Sequence, residues 1–126
     1  MILGDVSGKG IEAASMSALV KTALTGAGPA RMARSLNSML MGFSRVETFV
    51  TAFIAKIDLK AGRATYCSAG HPPTMVIRPE SMPLGGGEAR GGEVELLGCQ
   101  SGVIGAFESM VYETGVFTFA PGDMLF

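Results

Sequence analysis

The segment FVTAFIAKID limits the folds open to this chain more than any other part of the sequence. As an extended strand, it places Phe49, Phe53 and Ile57 on one face. Val50 and Ile54 then lie on the opposite face. Because both faces are apolar, the pattern predicts a central strand that is covered on both sides.

The elements around this strand predict an α+β fold. Residues 1–6 suit the end of a buried strand, and helices are predicted at 11–27 and 29–42, where Pro29 suits a first helical turn. A hairpin turn follows the central strand at Lys60–Arg63. Further strands are predicted at Ala64–Ala69, Thr74–Ile77, Glu93–Leu97, Ser109–Phe119 and Met124–Phe126. Helices followed by a run of antiparallel strands indicate α+β layers rather than a doubly wound sheet.

Two features complete the prediction for the second half of the chain. The stretch 79–92 is rich in proline and glycine, so it is predicted to be a loop. In the strand predicted at 109–119, the inward candidates are Val111, Phe117 and Phe119.

Composition excludes several function classes. The chain has 126 residues, 48% of them hydrophobic, which suits one domain or part of one. Its net charge of −1 gives no basic face for binding nucleic acid. It contains no run of about 20 apolar residues that could span a membrane. Its first ten residues do not resemble a signal peptide, because Asp5 interrupts their apolar stretch. We therefore expect a cytoplasmic protein that binds neither nucleic acid nor membranes.

The chain has two cysteines, Cys67 and Cys99, and one histidine, His71. The cysteines form no CxxC pair, and with a single histidine they do not favour a zinc site. The pattern favours two reduced, half-buried thiols, with a disulfide between them as the alternative.

The motif GDVSGKG at 4–10 carries the strongest chemical signal. It places Asp5 at the end of an apolar strand, where an aspartate is costly unless its charge is compensated. A bound divalent cation could compensate it, and so could backbone N–H groups of the following turn and helix start. On residue chemistry alone, metal ligand and turn cap both remain open for Asp5.

A nucleotide-binding loop is a third interpretation of the same motif. The GxxxxGK[ST] pattern needs one more residue between its glycines than Gly4 and Gly8 provide. Gly10 also stands where a serine or threonine hydroxyl should hold magnesium. The segment therefore does not fit a phosphate-binding loop.

Three motifs follow one another along the chain: GDVSGKGIEAASMSALV from Gly4, SAGHPP from Ser68, and APGDMLF from Ala120. In this order, with two predicted helices after the first, they resemble the PPM-type metal-dependent serine/threonine protein phosphatases of the SpoIIE group. The resemblance runs the full length of the chain but covers about half of a typical family domain.

The resemblance implies a site that holds two Mn²⁺ or Mg²⁺ ions. Asp5 matches the bridging aspartate, and the carbonyl of Val6 matches the adjacent oxygen ligand. His71 and Lys9 are the catalytic candidates, although His71 matches a segment that shapes the site and the pattern favours a solvated turn residue for Lys9. The implied active-site loop contains Gly4, Ser7, Gly8, Gly10 and Gly70.

The resemblance also implies an αββα sandwich of two antiparallel sheets with helices outside. Relatives carry a further acidic ligand in an earlier strand pair, and another aspartate after the APGDMLF-like strand. We therefore expect residues 1–126 to be the central part of the domain, inactive alone. The segment 98–105 departs from a Pro-Leu-Gly-type turn in relatives, which leaves its loop contacts open.

The function implied is hydrolysis of phosphoserine or phosphothreonine in a bacterial regulator of the anti-sigma-factor-antagonist type, by metal-activated water. The partners implied are that phosphorylated protein and a sensor or receiver domain in the parent chain. Unpaired sheet edges make a homodimer a further expectation. The alternative is a degenerate phosphatase-like module that binds a regulatory partner without catalysis.

Overall fold

The computed structural model describes residues 2–6, 28–43, 49–79 and 92–126. In these ranges the elements are β1 (Ile2–Val6), α1 (Pro29–Phe43), β2 (Val50–Asp58), β3 (Arg63–Ala69), β4 (Met75–Arg78), β5 (Glu93–Leu96), β6 (Gln100–Ser101), β7 (Gly115–Thr118) and β8 (Met124–Leu125). The helix predicted at 11–27, the turn before it, and most of the loop predicted at 79–92 lie outside the described residues.

Helix α1 confirms the prediction made for 29–42. Pro29 lies in its first turn, and the first helical hydrogen bond runs from the Met32 N–H to the Gly28 carbonyl at 3.0 Å. Leu36 and Leu40 are buried along one side, while the arginines and Ser38 are exposed on the other. The helix is therefore amphipathic and packs by its apolar stripe. Within the described ranges, no helix has the length and apolar character that crossing a membrane requires.

The first sheet has the strand order β1-β2-β3-β6, and β7 pairs with β3 beside β6. Strands β1, β2, β3 and β7 pair antiparallel, but β6 pairs parallel to β3 through Ser68–Gln100 and Ala69–Ser101. The expectation of purely antiparallel sheets is therefore wrong, and this sheet is mixed. After β5 the chain crosses from the second sheet to the first. Its next strand, β6, then runs in the same direction as β3.

The second sheet is antiparallel, with β4 between β5 and β8. Met75 pairs with Leu96 of β5, and Ile77 pairs with Met124 of β8. The final strand predicted from Met124 is thus present, and two hydrogen bonds between Met75 and Phe126 extend it. The described chain is an α+β structure of two sheets and one helix.

Two apolar clusters cover opposite faces of β2. Val50, Ala52 and Ile54 join residues of α1 in one cluster. Phe53 and Ala55 join a second cluster that contains Val76 of β4. The prediction of a central strand covered on both sides is confirmed for 50–55. It fails at the strand ends, where Phe49 is 42% exposed and Ile57 is 39% exposed.

The strand predicted at 109–119 is shorter in the structure, where β7 spans only Gly115–Thr118. Val111 is 68% exposed, so its assignment as an inward residue is wrong, and Tyr112 is buried in its place. The Tyr112 hydroxyl donates a hydrogen bond to Asn37 of α1 at 3.0 Å, which ties this part of the chain to the helix. Phe117 is buried as predicted, and Phe119 packs against the same cluster.

The hairpin turn between β2 and β3 is stabilised by Asp58. One carboxylate oxygen of Asp58 accepts hydrogen bonds from the N–H groups of Lys60 and Ala61, both at 3.0 Å. Gly62 completes the turn with a φ of 58°, which favours glycine. Asp58 is therefore a turn-stabilising residue at the end of the sheet away from Asp5.

Candidate functional site

The candidate site begins where β1 ends against the start of β2. Asp5 pairs with Thr51, and Val6 pairs with Val50. The structure thus places the aspartate of the GDVSGKG motif in a strand, one residue before the end of that strand. The remaining predicted residues of this motif, at positions 7–10, lie outside the described residues.

The backbone of Val6 is oriented by the hydrogen bonds of its partner. Val50 donates to and accepts from Ile104, both at 2.8 Å, so its N–H and carbonyl point away from β1. In an antiparallel ladder this makes Val6–Val50 a pair without mutual hydrogen bonds. The Val6 carbonyl therefore points away from β2, toward the outer side of β1, which is an edge strand among the described residues. The Val6 carbonyl oxygen therefore accepts no hydrogen bond from β2.

Gly70 lies at the same end of the sheet. It follows β3, forms a bridge with Ala52, and donates its N–H to the Ser101 carbonyl at 2.8 Å. Its φ is 62°, and a Cβ at this position would overlap the side chain of Val103. Position 70 therefore requires glycine for two independent reasons: its backbone conformation and the close approach of the Val103 side chain.

The segment 103–112 supports this end of the sheet, and Asn37 of α1 holds the segment. The side-chain oxygen of Asn37 accepts hydrogen bonds from the Gly105 N–H at 2.7 Å and the Tyr112 hydroxyl at 3.0 Å. Its amide nitrogen donates to the Phe107 carbonyl at 2.9 Å. Asn37 is not among the site residues predicted from the sequence. A signal was present, because an asparagine in the apolar stripe of a helix needs hydrogen-bond partners.

His71 follows Gly70 and is partly buried. Its Nδ1 atom is buried and has no hydrogen-bond partner within the described parts of the chain, and the same holds for Oγ of Ser68. These two polar atoms belong to the SAGHPP motif. The catalytic and site-shaping roles considered for His71 both stay predictions.

Both cysteines are free, as predicted, but Cys67 is fully buried rather than half-buried. Burial raises the pKa of Cys67 to about 11, although a hydrogen bond with Ser101 acts in the opposite direction. Burial also raises the pKa of Cys99. Thiols with raised pKa values are poor nucleophiles near neutral pH. The arrangement therefore does not suit cysteine-based catalysis at Cys67 or Cys99.

Asp5, Val6 and Gly70 lie at one corner of the first sheet. The oxygen ligands predicted there are of the kind that suits a hard divalent cation. Carboxylate and backbone carbonyl oxygens, as Asp5 and Val6 provide, are the ligands that Mg²⁺ and Mn²⁺ prefer. The residues that the structure describes contain no group of three or more His, Cys, Asp or Glu side chains that could hold a metal. Metal binding by Asp5 and Val6 therefore stays a prediction.

Comparisons with known proteins extend this picture. The family model described as Stage II sporulation protein E (SpoIIE) matches residues 1–126. Phosphoserine phosphatase RsbU from Bacillus subtilis (strain 168) is 31% identical over 94 residues, which cover 71% of this chain and 28% of that protein. The chain therefore spans less than a third of the length of this relative.

A solved structure shares the fold. The crystal structure of the RsbU and RsbW domains of Rv1364c from Mycobacterium tuberculosis matches with a TM-score of 0.70 and 19% sequence identity. The match covers 98% of this chain and 33% of that one. Since the family model matches every residue from 1 to 126, the chain belongs to the SpoIIE family.

Proposed function

We propose that this chain is part of a metal-dependent protein phosphatase that hydrolyses phosphoserine or phosphothreonine in a bacterial regulatory protein. One observation carries the proposal: the end of the GDV strand and the end of the strand leading to Gly70 lie on either side of the first residues of β2, at one corner of the first sheet. Two of the three motifs that resemble PPM-type phosphatases thus reach the same end of one sheet, with β2 between them. The similarity to a phosphoserine phosphatase supports the same chemistry.

In this proposal, the Asp5 carboxylate and the Val6 carbonyl hold Mn²⁺ or Mg²⁺. Two such ions would lower the pKa of a bound water and neutralise charge on the phosphoryl oxygens. The orientation of the Val6 carbonyl, away from β2, supports its assignment as a ligand. Lys9 and His71 are proposed to face the phosphoryl group, with Gly4, Ser7, Gly8, Gly10 and Gly70 forming the loop around it.

We propose that residues 1–126 supply only part of the site. Hard cations of this kind take about six oxygen ligands, some from water, and Asp5 and Val6 provide two. We propose that the other acidic ligands come from segments of the complete domain outside residues 1–126. The low coverage of the relatives supports this division. Residues 1–126 on their own are then expected to be inactive and to bind metal weakly.

The same proposal extends to architecture and partners. We propose an αββα sandwich for the complete domain, in which α1 belongs to one helical layer. The substrate is proposed to be an anti-sigma-factor antagonist in the cytoplasm, and a sensor or receiver domain in the same protein would control the site. The edge strands β1, β5 and β8 among the described elements could support a homodimer.

The test replaces Asp5 with Asn in a protein that carries the complete domain. Asp5→Asn should abolish Mn²⁺-dependent hydrolysis of a phosphoserine peptide and weaken Mn²⁺ binding in calorimetry, because a neutral amide is a poor ligand for hard cations. Asp58→Asn is the matched control, since Asp58 stabilises a turn at the other end of β2. It should keep both activity and metal affinity.

Three outcomes separate the interpretations. Normal turnover by Asp5→Asn would contradict the metal-ligand role of Asp5. Equal losses in both variants would indicate general destabilisation rather than a lost ligand. A complete wild-type domain without turnover against any phosphoserine or phosphothreonine peptide would overturn the catalytic proposal in favour of a non-catalytic binding module.

A further inference from the structure

Asn37 is a buried polar residue in the middle of α1, only 2% exposed. Asparagine is unfavourable inside a helix, and a buried amide is costly unless it is hydrogen-bonded. Its neighbours on the same side of the helix, including Leu36 and Leu40, belong to the apolar cluster. An apolar residue at position 37 would therefore suit both the helix and the core.

The hydrogen bonds of Asn37 all go to one distant segment, 68–75 residues further along the chain. Its oxygen accepts from Gly105 and Tyr112, and its nitrogen donates to Phe107. The Tyr112 hydroxyl also lies 3.2 Å from the Val103 carbonyl oxygen. One side chain thus holds both ends of the segment 103–112, which contains no regular strand.

The held segment touches the candidate site at two places. Ile104 is fully buried and exchanges two hydrogen bonds with Val50, the residue that pairs with Val6. Val103 packs against Gly70, where a Cβ would overlap it. The position of 103–104 therefore affects the strand end that carries the Val6 carbonyl and the turn that leads to His71.

We infer that Asn37 is a positioning residue for the metal corner, acting through the segment 103–112. The inference rests on the proposed function, because it assigns the corner formed by Asp5, Val6 and Gly70 to metal binding. Asn37 is not proposed as a ligand of the metal or of the substrate. It orders Ile104, and Ile104 in turn orients Val50 so that the Val6 carbonyl points out of the ladder.

Two variants remove the polar contacts and keep the packing. Asn37→Leu conserves bulk and favours the helix, but removes all three hydrogen bonds. Tyr112→Phe removes one hydroxyl and serves if Asn37→Leu does not fold. Tyr66→Phe is the matched control, because its buried hydroxyl accepts a hydrogen bond from Cys99 at 3.1 Å in the cluster on the other face of β2.

The experiment uses the complete wild-type protein and its variants. Mn²⁺ binding is measured by electron paramagnetic resonance, amide hydrogen exchange at Val50, Ile104 and Gly105 by mass spectrometry, and turnover by phosphoserine-peptide hydrolysis across Mn²⁺ concentrations. Asn37→Leu should weaken Mn²⁺ affinity by about 10-fold or more, as loss of supporting contacts around metal ligands commonly does. It should also speed exchange at the three amides. Tyr112→Phe should shift both in the same direction by less, and Tyr66→Phe should shift neither.

The outcomes separate this inference from the proposed function. An active wild type whose Mn²⁺ affinity is unchanged by both Asn37→Leu and Tyr112→Phe would overturn the inference and leave the proposed function intact. Faster exchange without a change in Mn²⁺ affinity would also overturn it, because Asn37 would then be purely structural. A wild type that neither binds Mn²⁺ nor turns over substrate would overturn the proposed function itself.

Discussion

Gly70→Ala tests whether the turn after β3 is as tightly determined as the structure indicates. The φ of 62° lies in the left-handed region, where a side chain costs about 1–2 kcal/mol. The added Cβ would also overlap Val103 Cγ1 and lie 3.1 Å from Val103 Cα. Overpacking of this kind typically costs about 1–3 kcal/mol. We therefore expect Gly70→Ala to lower the free energy of unfolding by about 2–5 kcal/mol.

The two contributions can be separated with Val103→Ala. That substitution removes the methyl group that overlaps the new Cβ but leaves the backbone conformation of Gly70 unchanged. The double variant should therefore recover most of the overpacking cost of about 1–3 kcal/mol and none of the conformational cost. Urea-induced unfolding of the four proteins, followed by circular dichroism, measures each free energy.

Gly62→Ala is the control for backbone strain. Gly62 has a φ of 58°, and its added Cβ would lie 2.9 Å from the Phe119 carbonyl oxygen, at the opposite end of β3. Both glycine variants should lose stability, but only Gly70→Ala should also weaken Mn²⁺ binding. A loss below about 0.5 kcal/mol for Gly70→Ala, or additive effects with Val103→Ala, would refute the reasoning.

The remaining predictions concern the cores on the two faces of β2. Leu36→Ala should lower the free energy of unfolding by about 2–5 kcal/mol in urea unfolding, because Leu36 is 3% exposed in the cluster beneath α1. In the native protein, a thiol reagent should modify Cys99 faster than Cys67, which is fully buried; equal rates would contradict the packing. Since burial raises the pKa of Cys67 from 9.0 to about 11, its contribution to stability is complete below pH 9 and is lost as the pH rises through 11. Unfolding of Cys67→Ala should therefore depend less on pH across that window than unfolding of the wild type.

Local patterns in the sequence predicted most of the described elements. Helix α1 and strand β2 follow from hydrophobic periods of 3.6 and 2, and their bounds agree with the structure within one residue. Pro29 and Gly62 mark element boundaries for reasons that act within a few residues. The order of the three motifs identified the family, which the match over residues 1–126 confirms.

The tertiary structure decided everything that depends on distant partners. The parallel pairing of β6 with β3, and the burial of Tyr112 in place of Val111, arise from contacts across the fold that no local period encodes. The role of Asn37 depends on partners at least 68 residues away. The orientation of the Val6 carbonyl depends on Ile104, through hydrogen bonds that Val50 makes on its other side. A sequence motif names the residues of a site, but backbone hydrogen bonds between distant segments determine which way their oxygens point.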